Sequence, residues 1–255
     1  VIRPYWEDED AGLALYLGDM REVLPALGIK ADLIVADPPY SETSLAWDQW
    51  PGGWTVTAAQ AASSMWCFGS MRMFLNQVDS FTDPGWRMSQ DVVWEKHNGS
   101  GFTRDRFSRV HEHALHWYRG PWGSIHRDVP RVPATRTRGG GAFKRQEKSL
   151  AHTGAMADNG GYVDDGTRLM RSVIQQRSMQ GRAIHPTEKP VRLLDPLIRY
   201  ACPEGGLVVD PFAGSGSTLD AARQSGRRAI GIEGREEYCE AAARRLSNLV
   251  LELPL

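Results

Sequence analysis

Apolar residues in this chain gather in runs of four or five, separated by stretches with helical spacing, which is the rhythm of an α/β sheet whose strands are buried on both faces. Leu13-Ala14-Leu15-Tyr16-Leu17 reads as a strand, and Gly18-Asp19 turns from it into a short helix carrying Val23, Leu24 and Leu27, with Gly28 beyond its end. Leu33-Ile34-Val35-Ala36 is a second strand. Residues 57–63 predict a helix, Met65-Trp66-Cys67-Phe68 a strand ending at Gly69, and residues 71–75 another helix. Val92-Val93-Trp94 and Ala114-Leu115-His116-Trp117-Tyr118 read as two strands at an antiparallel edge. Further on, Pro190 falls at the first-turn position of a helix striped by Val191, Leu194, Leu197, Ile198 and Ala201. Leu207-Val208-Val209-Asp210 is a strand, followed by a helix over 217–225 that Gly226 closes. Ala229-Ile230-Gly231-Ile232 is the next strand, ending in Glu233, and a helix over 236–249 buries Tyr238, Ala242, Leu246 and Leu249.

The rhythm lapses in two places. Residues 41–54 hold Trp47, Trp50, Pro51, Gly52-Gly53 and Trp54, too many breakers for a long helix, so a mobile loop is expected whose aromatics either pack as a lid or fill space left in a partner. Residues 119–182 contain Pro121, Pro130, Pro133 and Gly139-Gly140-Gly141 with few apolar clusters, and disorder is expected over 134–165. Between the two edge strands, residues 96–109 read as a Gly-containing basic loop with Arg104, Arg106 and Arg109.

At 255 residues, 41% hydrophobic and 24% charged, the chain suits one α/β domain with an insert. It has no apolar run that spans a bilayer and no signal-peptide pattern, so a cytoplasmic place is expected. Cys67, Cys202 and Cys239 fit neither a disulfide framework nor a Cys-x-x-Cys site, and read as buried thiols. His111 and His113 share one strand face and His116 takes the other, so no metal site is expected. Net charge is −1, yet residues 119–148 set eight cations against two carboxylates, either a solvated loop or a phosphate-neutralising surface.

The run at 33–36 ends in Asp37-Pro38-Pro39-Tyr40, at the sheet edge where ligands of open α/β sheets bind. The prolines fix two φ angles and remove two donors, leaving a stiff hook with a carboxylate, bare carbonyls and an aromatic face. These match a planar ring bearing an exocyclic amine: Asp37 and the Pro38 carbonyl accept the amine hydrogens, and Tyr40 stacks on the ring. Taken alone, the same residues serve equally as a loop stiffener, a turn carboxylate and a core wall. Asp210-Pro211-Phe212-Ala213-Gly214-Ser215-Gly216-Ser217-Thr218 adds a glycine turn that allows close backbone approach at a helix start. Glu233 follows about twenty residues on, where a carboxylate grips ribose hydroxyls in dinucleotide folds. A nicotinamide dehydrogenase shares this turn, but it has no use for Asp37 to Tyr40, and the turn lacks the third glycine.

With His185-Pro186-Thr187-Glu188-Lys189-Pro190 between them, these stretches resemble, in this order, the beta-class DNA amino-methyltransferases, over most of the chain outside residues 119–184. The resemblance implies a circularly permuted Rossmann-like methyltransferase fold of α/β class, with a mostly parallel sheet and helices on both faces. Residues 1–118 would be the catalytic half, 119–184 an inserted target-recognition region and 185–255 the cofactor-binding half. It implies S-adenosyl-L-methionine as cofactor, bound by Asp19, Lys189, Asp210, Phe212, Ala213, Gly214, Ser215, Gly216 and Glu233, with Asp37, Pro38, Pro39 and Tyr40 catalytic. Asp19 is in any case a helix cap, and in the family an acid there accepts the cofactor's adenine amine. Lys189, otherwise a solvated charge, would lie near the methionine end.

Double-stranded DNA is the implied partner, contacted by Arg104, Arg106, Arg136, Arg138 and Lys144, while Gln175 or Gln176 suits adenine edges. A homodimer and a cognate restriction endonuclease are compatible partners. Asp at position 37 resembles the adenine-N6 enzymes; cytosine-N4 enzymes, which usually carry Ser there, are the alternative, as is a non-catalytic nucleic-acid-binding relative. The motif order separates the chain from ribosomal RNA enzymes with a similar hook. Cytosine-C5 chemistry is disfavoured, because Cys202 precedes Pro203 and no Pro-Cys pair occurs. With the sequence ending at Leu255, recognition is expected within the insert.

Overall fold

A computed structural model of the chain describes residues 2–45, 47–100, 105–134, 165–179 and 188–248. Two compact units appear, one made of Val1–Asp128 with Arg171–Leu255, the other of Val129–Met170. The larger unit begins with β1 (Trp6–Asp8) and β2 (Leu13–Leu17). Asp19 then caps α1 (Met20–Leu27) by accepting the Arg21 amide, and Gly28 closes it at φ 61°, a left-handed value that costs glycine nothing. β3 (Leu33–Ala36) is buried at every position. α2 (Trp54–Ala61) starts earlier than the sequence suggests, because Trp54 is drawn into the core at the helix's first turn.

β4 (Ser64–Gly69), α3 (Met71–Asn76) and the unanticipated α4 (Val78–Thr82) follow. β5 (Arg87–Ser100) and β6 (Arg109–Tyr118) form a much longer hairpin than two short strands, so Lys96 belongs to a strand and not to a loop. The smaller unit pairs β7 (Arg131–Pro133) antiparallel with β8 (Thr167–Leu169), tied by Arg131 to Asp165 at 3.2 Å. β9 (Val173–Gln175) then adds to the larger unit beside β5. In α5 (Val191–Ala201), Pro190 is the N-cap and not the first helical residue. β10 (Leu207–Asp210), α6 (Ser217–Gln224), β11 (Arg228–Glu233) and α7 (Glu236–Ser247) complete the chain. In α7 Cys239, Ala242 and Leu246 are buried, whereas Tyr238 is half-buried; Leu249 lies outside the described residues.

One nine-stranded sheet runs β1-β2-β11-β10-β3-β4-β6-β5-β9. Its centre, from β2 to β4, is parallel, and β6 turns antiparallel to β4. Period-two alternation decides which residues meet which helices. Ile34, Ala36, Met65, Cys67 and Val209 join a core with Met20, Leu24 and Trp54 of α1 and α2. Trp66, between Met65 and Cys67, faces the other way and donates its indole N–H to the Leu197 carbonyl of α5 at 2.9 Å. Both faces are covered, which is why the strands read as continuous apolar runs.

His116 shows the same alternation. His111 and His113 have ring centroids 5.3 Å apart on one face of β6, while His116 is buried on the other, between Ser64 Oγ at 3.0 Å and Ser89 Oγ at 2.6 Å. Among the described residues no cluster of three or more His, Cys, Asp or Glu could hold a metal, and no helix is long and apolar enough to cross a membrane. Cys67, Cys202 and Cys239 are buried and unpaired with one another. Burial lowers the His116 pKa from 6.5 to about 4. The unfolded chain therefore binds more protons than the folded one between those values, and stability falls as pH drops through that window. The expected loss is about 3 kcal/mol once pH is below 4. Denaturant titrations from pH 7.5 to 4 should show it in the wild type, and His116→Gln should remove that share of the slope.

Candidate active site at the carboxyl edge of the sheet

β3 and β10 are parallel neighbours, with Val208 opposite Leu33 and Val209 opposite Ile34. The connection from β3 leads one way, to β4, and that from β10 leads the other way, to β11. A crevice opens at the carboxyl ends of strands that diverge like this. Asp37 and Asp210, distant in sequence, stand together in a cavity of about 480 Å³. Pro38, Pro39, Tyr40, Lys189, Phe212, Ala213, Gly214, Ser215 and Glu233 also line it, so the structure gathers most of the sequence-derived site residues.

Asp37 is held from two sides. The Tyr40 hydroxyl donates to its Oδ1 at 2.6 Å, and Lys189 Nζ to its Oδ2 at 2.5 Å. The Tyr40 ring is thereby fixed in the cavity wall, and burial together with the Asp37 charge pushes its phenol well above the usual range. Burial disfavours the Lys189 ammonium, but Asp37 and Glu112 outweigh that and raise its pKa. Glu112, on β6, lies 3.5 Å from Lys189 and also accepts from Lys96. Burial would raise the Glu112 pKa, yet the two lysines bring it below the usual carboxylate value. The result is a chain of alternating charge, Asp37, Lys189, Glu112 and Lys96, with Lys189 buried and the other three partly buried.

The opposite wall is the glycine turn. Gly216 starts α6 at φ 76°, and a Cβ there would meet Ala242 Cβ of α7 at 3.2 Å, so both backbone and packing require glycine. Glu233 braces the turn by accepting the Gly214 amide through Oε2 and the Arg235 amide through Oε1, each at 2.9 Å. Burial raises its pKa, and it raises that of Asp210 to about 7. Arg245 of α7 donates to Glu188 at 2.7 Å and to Ser217 at 3.1 Å, fastening the segment that carries Lys189 to the glycine turn. Seven carboxylates and four Lys or Arg line the cavity among the described residues, an excess that favours a cationic ligand.

Asp48 organises the described residues just after the hook. Asp48, nearly buried, accepts the amides of Ser41, Glu42 and Thr43 at 2.9, 3.0 and 2.7 Å. Burial pushes the Asp48 pKa up, but these hydrogen bonds win and lower it. They hold Ser41 at φ 56°, directly after the hook. Trp54 is fully buried and Trp50 packs on it at 5.8 Å, while Trp47 lines the cavity, so the three tryptophans divide between core and wall.

Asp19 keeps its carboxylate on Arg21, with the amide at 2.8 Å and the guanidinium at 2.5 Å; the side-chain bond holds its pKa low. It stands beyond the end of β2, whose Leu17 is paired with Glu233. Arg106 is exposed and paired with Asp105 at 2.9 Å. Arg104, Arg136, Arg138 and Lys144 lie outside the described residues. Sequence reading passed over Glu112, Asp48, Glu188 and Arg245. Glu188 sat inside a quoted stretch, and Glu112 was an acid between two histidines on a strand entering the core; Asp48 and Arg245 carried no local signal.

The family model described as DNA methylase, N6_N4_Mtase, matches residues 31–244. Type II methyltransferase M.ScaI of Streptomyces caespitosus is 28% identical over 264 residues, covering 96% of this chain and 84% of that protein. The M1.HpyAVI-SAM complex has a TM-score of 0.64 at 24% identity, covering 93% of this chain and 100% of the other. The PvuII DNA methyltransferase, cytosine-N4-specific, gives 0.64 at 15% identity, covering 95% and 88%. The family match takes in the hook, the Lys189 segment and the glycine turn, and this chain belongs to the N6/N4 DNA methylase family.

Proposed function

We propose that this chain transfers a methyl group from S-adenosylmethionine to the exocyclic N6 of an adenine swung out of duplex DNA. The observation that carries the reading is the shared cavity: an amine-accepting hook and a glycine turn at a helix start face one space rich in carboxylates. The cofactor supplies an electrophilic methyl on a sulfonium. Asp210 and Glu233 lie on its side of the cavity, Gly214 and Ser215 let it approach the backbone, and Asp37 with the Pro38 carbonyl holds the amine. An adenine amine is a poor nucleophile because its lone pair is delocalised into the ring. Accepting both hydrogens turns that lone pair toward the methyl, and Asp37 stabilises the positive charge that develops on nitrogen. Tyr40 offers a stacking face that offsets part of the unstacking cost of a few kcal/mol. Adenine is preferred over cytosine because Asp and not Ser opens the hook.

Three outcomes are expected. Labelled methyl supplied on S-adenosylmethionine with mixed-sequence duplex should appear in N6-methyladenine after nucleoside chromatography; label in N4-methylcytosine would reassign the base. Asp37→Ala should abolish transfer and leave cofactor binding measurable by calorimetry, and full activity in that variant would overturn the mechanism. Asp210, with a pKa near 7 when no cation faces it, must ionise to favour a sulfonium. Cofactor affinity should therefore rise between pH 6 and 7.5, with proton release at the lower end, and Asp210→Asn should flatten that rise. Equal slopes in the two proteins would remove Asp210 from the cofactor site.

A further inference from the structure

We propose that Glu112 is a positioning residue that draws Lys189 off Asp37 as the target amine enters. The inference deepens the reading above and rests on Asp37 holding that amine.

Two observations conflict with Asp37 working in the arrangement just described. Its Oδ2 accepts from an ammonium at 2.5 Å, and its Oδ1 accepts from Tyr40 at 2.6 Å. In methyl transfer the amine nitrogen gathers positive charge beside this same carboxylate. A lysine left in contact would oppose that charge in a site where screening is weak. Lys189 needs another anion within reach.

Glu112 supplies it. Its Oε2 is buried and accepts no hydrogen bond among the described residues, and Lys189 Nζ lies 3.5 Å away. A displacement of roughly 0.7 Å would bring that gap to the length of a charge-assisted hydrogen bond, about 2.8 Å. Lys96 holds the other oxygen, Oε1, which keeps Oε2 turned toward Lys189. The Phe68 ring, 5.2 Å from Nζ, offers a face that tolerates the cation during the shift. No charge is created or removed, so the desolvation cost already met in folding is not incurred again. The short contact on Asp37 Oδ2 is then relaxed, which opens a lone pair to an amine hydrogen while Lys189 stays within ion-pair range of the carboxylate.

The test is a double-mutant cycle read in kcat and KM on the full chain with duplex DNA. Glu112→Gln should lower kcat by about tenfold with KM for S-adenosylmethionine unchanged, because a neutral acceptor competes poorly for the ammonium. Glu112→Asp, which restores the charge, should recover part of the loss. In a Lys189→Met background, Glu112→Gln should cost nothing further, since it acts only through Lys189. Wild-type kcat in Glu112→Gln, or an equal second loss without Lys189, would overturn the proposal. Should Glu112→Gln fail to fold, Lys96→Met, which frees the carboxylate to turn away, should lower kcat at constant KM; unchanged kcat there would also overturn it. Asp37→Ala run in parallel separates the two levels. Full activity in that variant defeats the parent mechanism, whereas an inactive Asp37→Ala beside a fully active Glu112→Gln defeats only the lysine shift.

Discussion

Because β3 and β10 hydrogen-bond in parallel register while their crossovers diverge, two strand ends emerge side by side into a crevice that neither half of the chain forms alone. The hook at 37–40 and the turn at 210–216 are each ordinary in isolation, a stiff Pro-Pro corner and a glycine-bearing helix start. Register brings them to one cavity. A slip of one residue between β3 and β10 would turn each side chain of β3 to the opposite face, taking Ile34 and Ala36 out of the core they share with Trp54. The apolar alternation that stabilises the sheet therefore also fixes the spacing of the chemistry.

Charges within the crevice are arranged so that burial does not expel them. An isolated buried ion costs several kcal/mol, and removing one member of a pair leaves the other uncompensated. Asp37, Lys189, Glu112 and Lys96 alternate in sign along one line, and Arg245 answers Glu188 and, at 3.5 Å, Asp220. Asp210 departs from this scheme. Burial, with the Asp37 and Glu233 charges, outweighs the hydrogen bonds it accepts from Thr218 and, at 2.9 Å, from the Phe212 amide, and raises its pKa to about 7.

Trp50 and Trp54, which the sequence left between lid packing and filling space in a partner, pack mainly as supports. Trp54 meets Phe212 edge-on at 5.3 Å and Phe81 at 6.0 Å, and Phe81 stacks on Trp117 at 4.5 Å. Phe212 is a cavity wall, so a continuous run of rings links the glycine turn to α2, α4 and β6. Substitution of Trp54 would act on the site through Phe212, without any contact of its own.

Much of the frame was legible in the sequence, because it rests on local periodicity. The runs at 13–17, 33–36, 207–209 and 229–232 announced strands through their apolar character, and Gly28 announced a helix end through its freedom to take positive φ. The hook and the glycine turn were visible because proline and glycine carry their backbone constraints with them. Hidden were the start of α2, set when the core captured Trp54, and the length of the β5–β6 hairpin, in which polar residues pair as readily as apolar ones through their backbones. Hidden too were the partners of Lys189 and the three-amide grip of Asp48. Sequence alone determined which residues could do chemistry and on which strand ends they would stand, since those properties are encoded within a few neighbouring positions. Only the tertiary structure decided which charge answers which, because Asp37, Glu112 and Lys189 come from three separate segments that meet through strand register and packing.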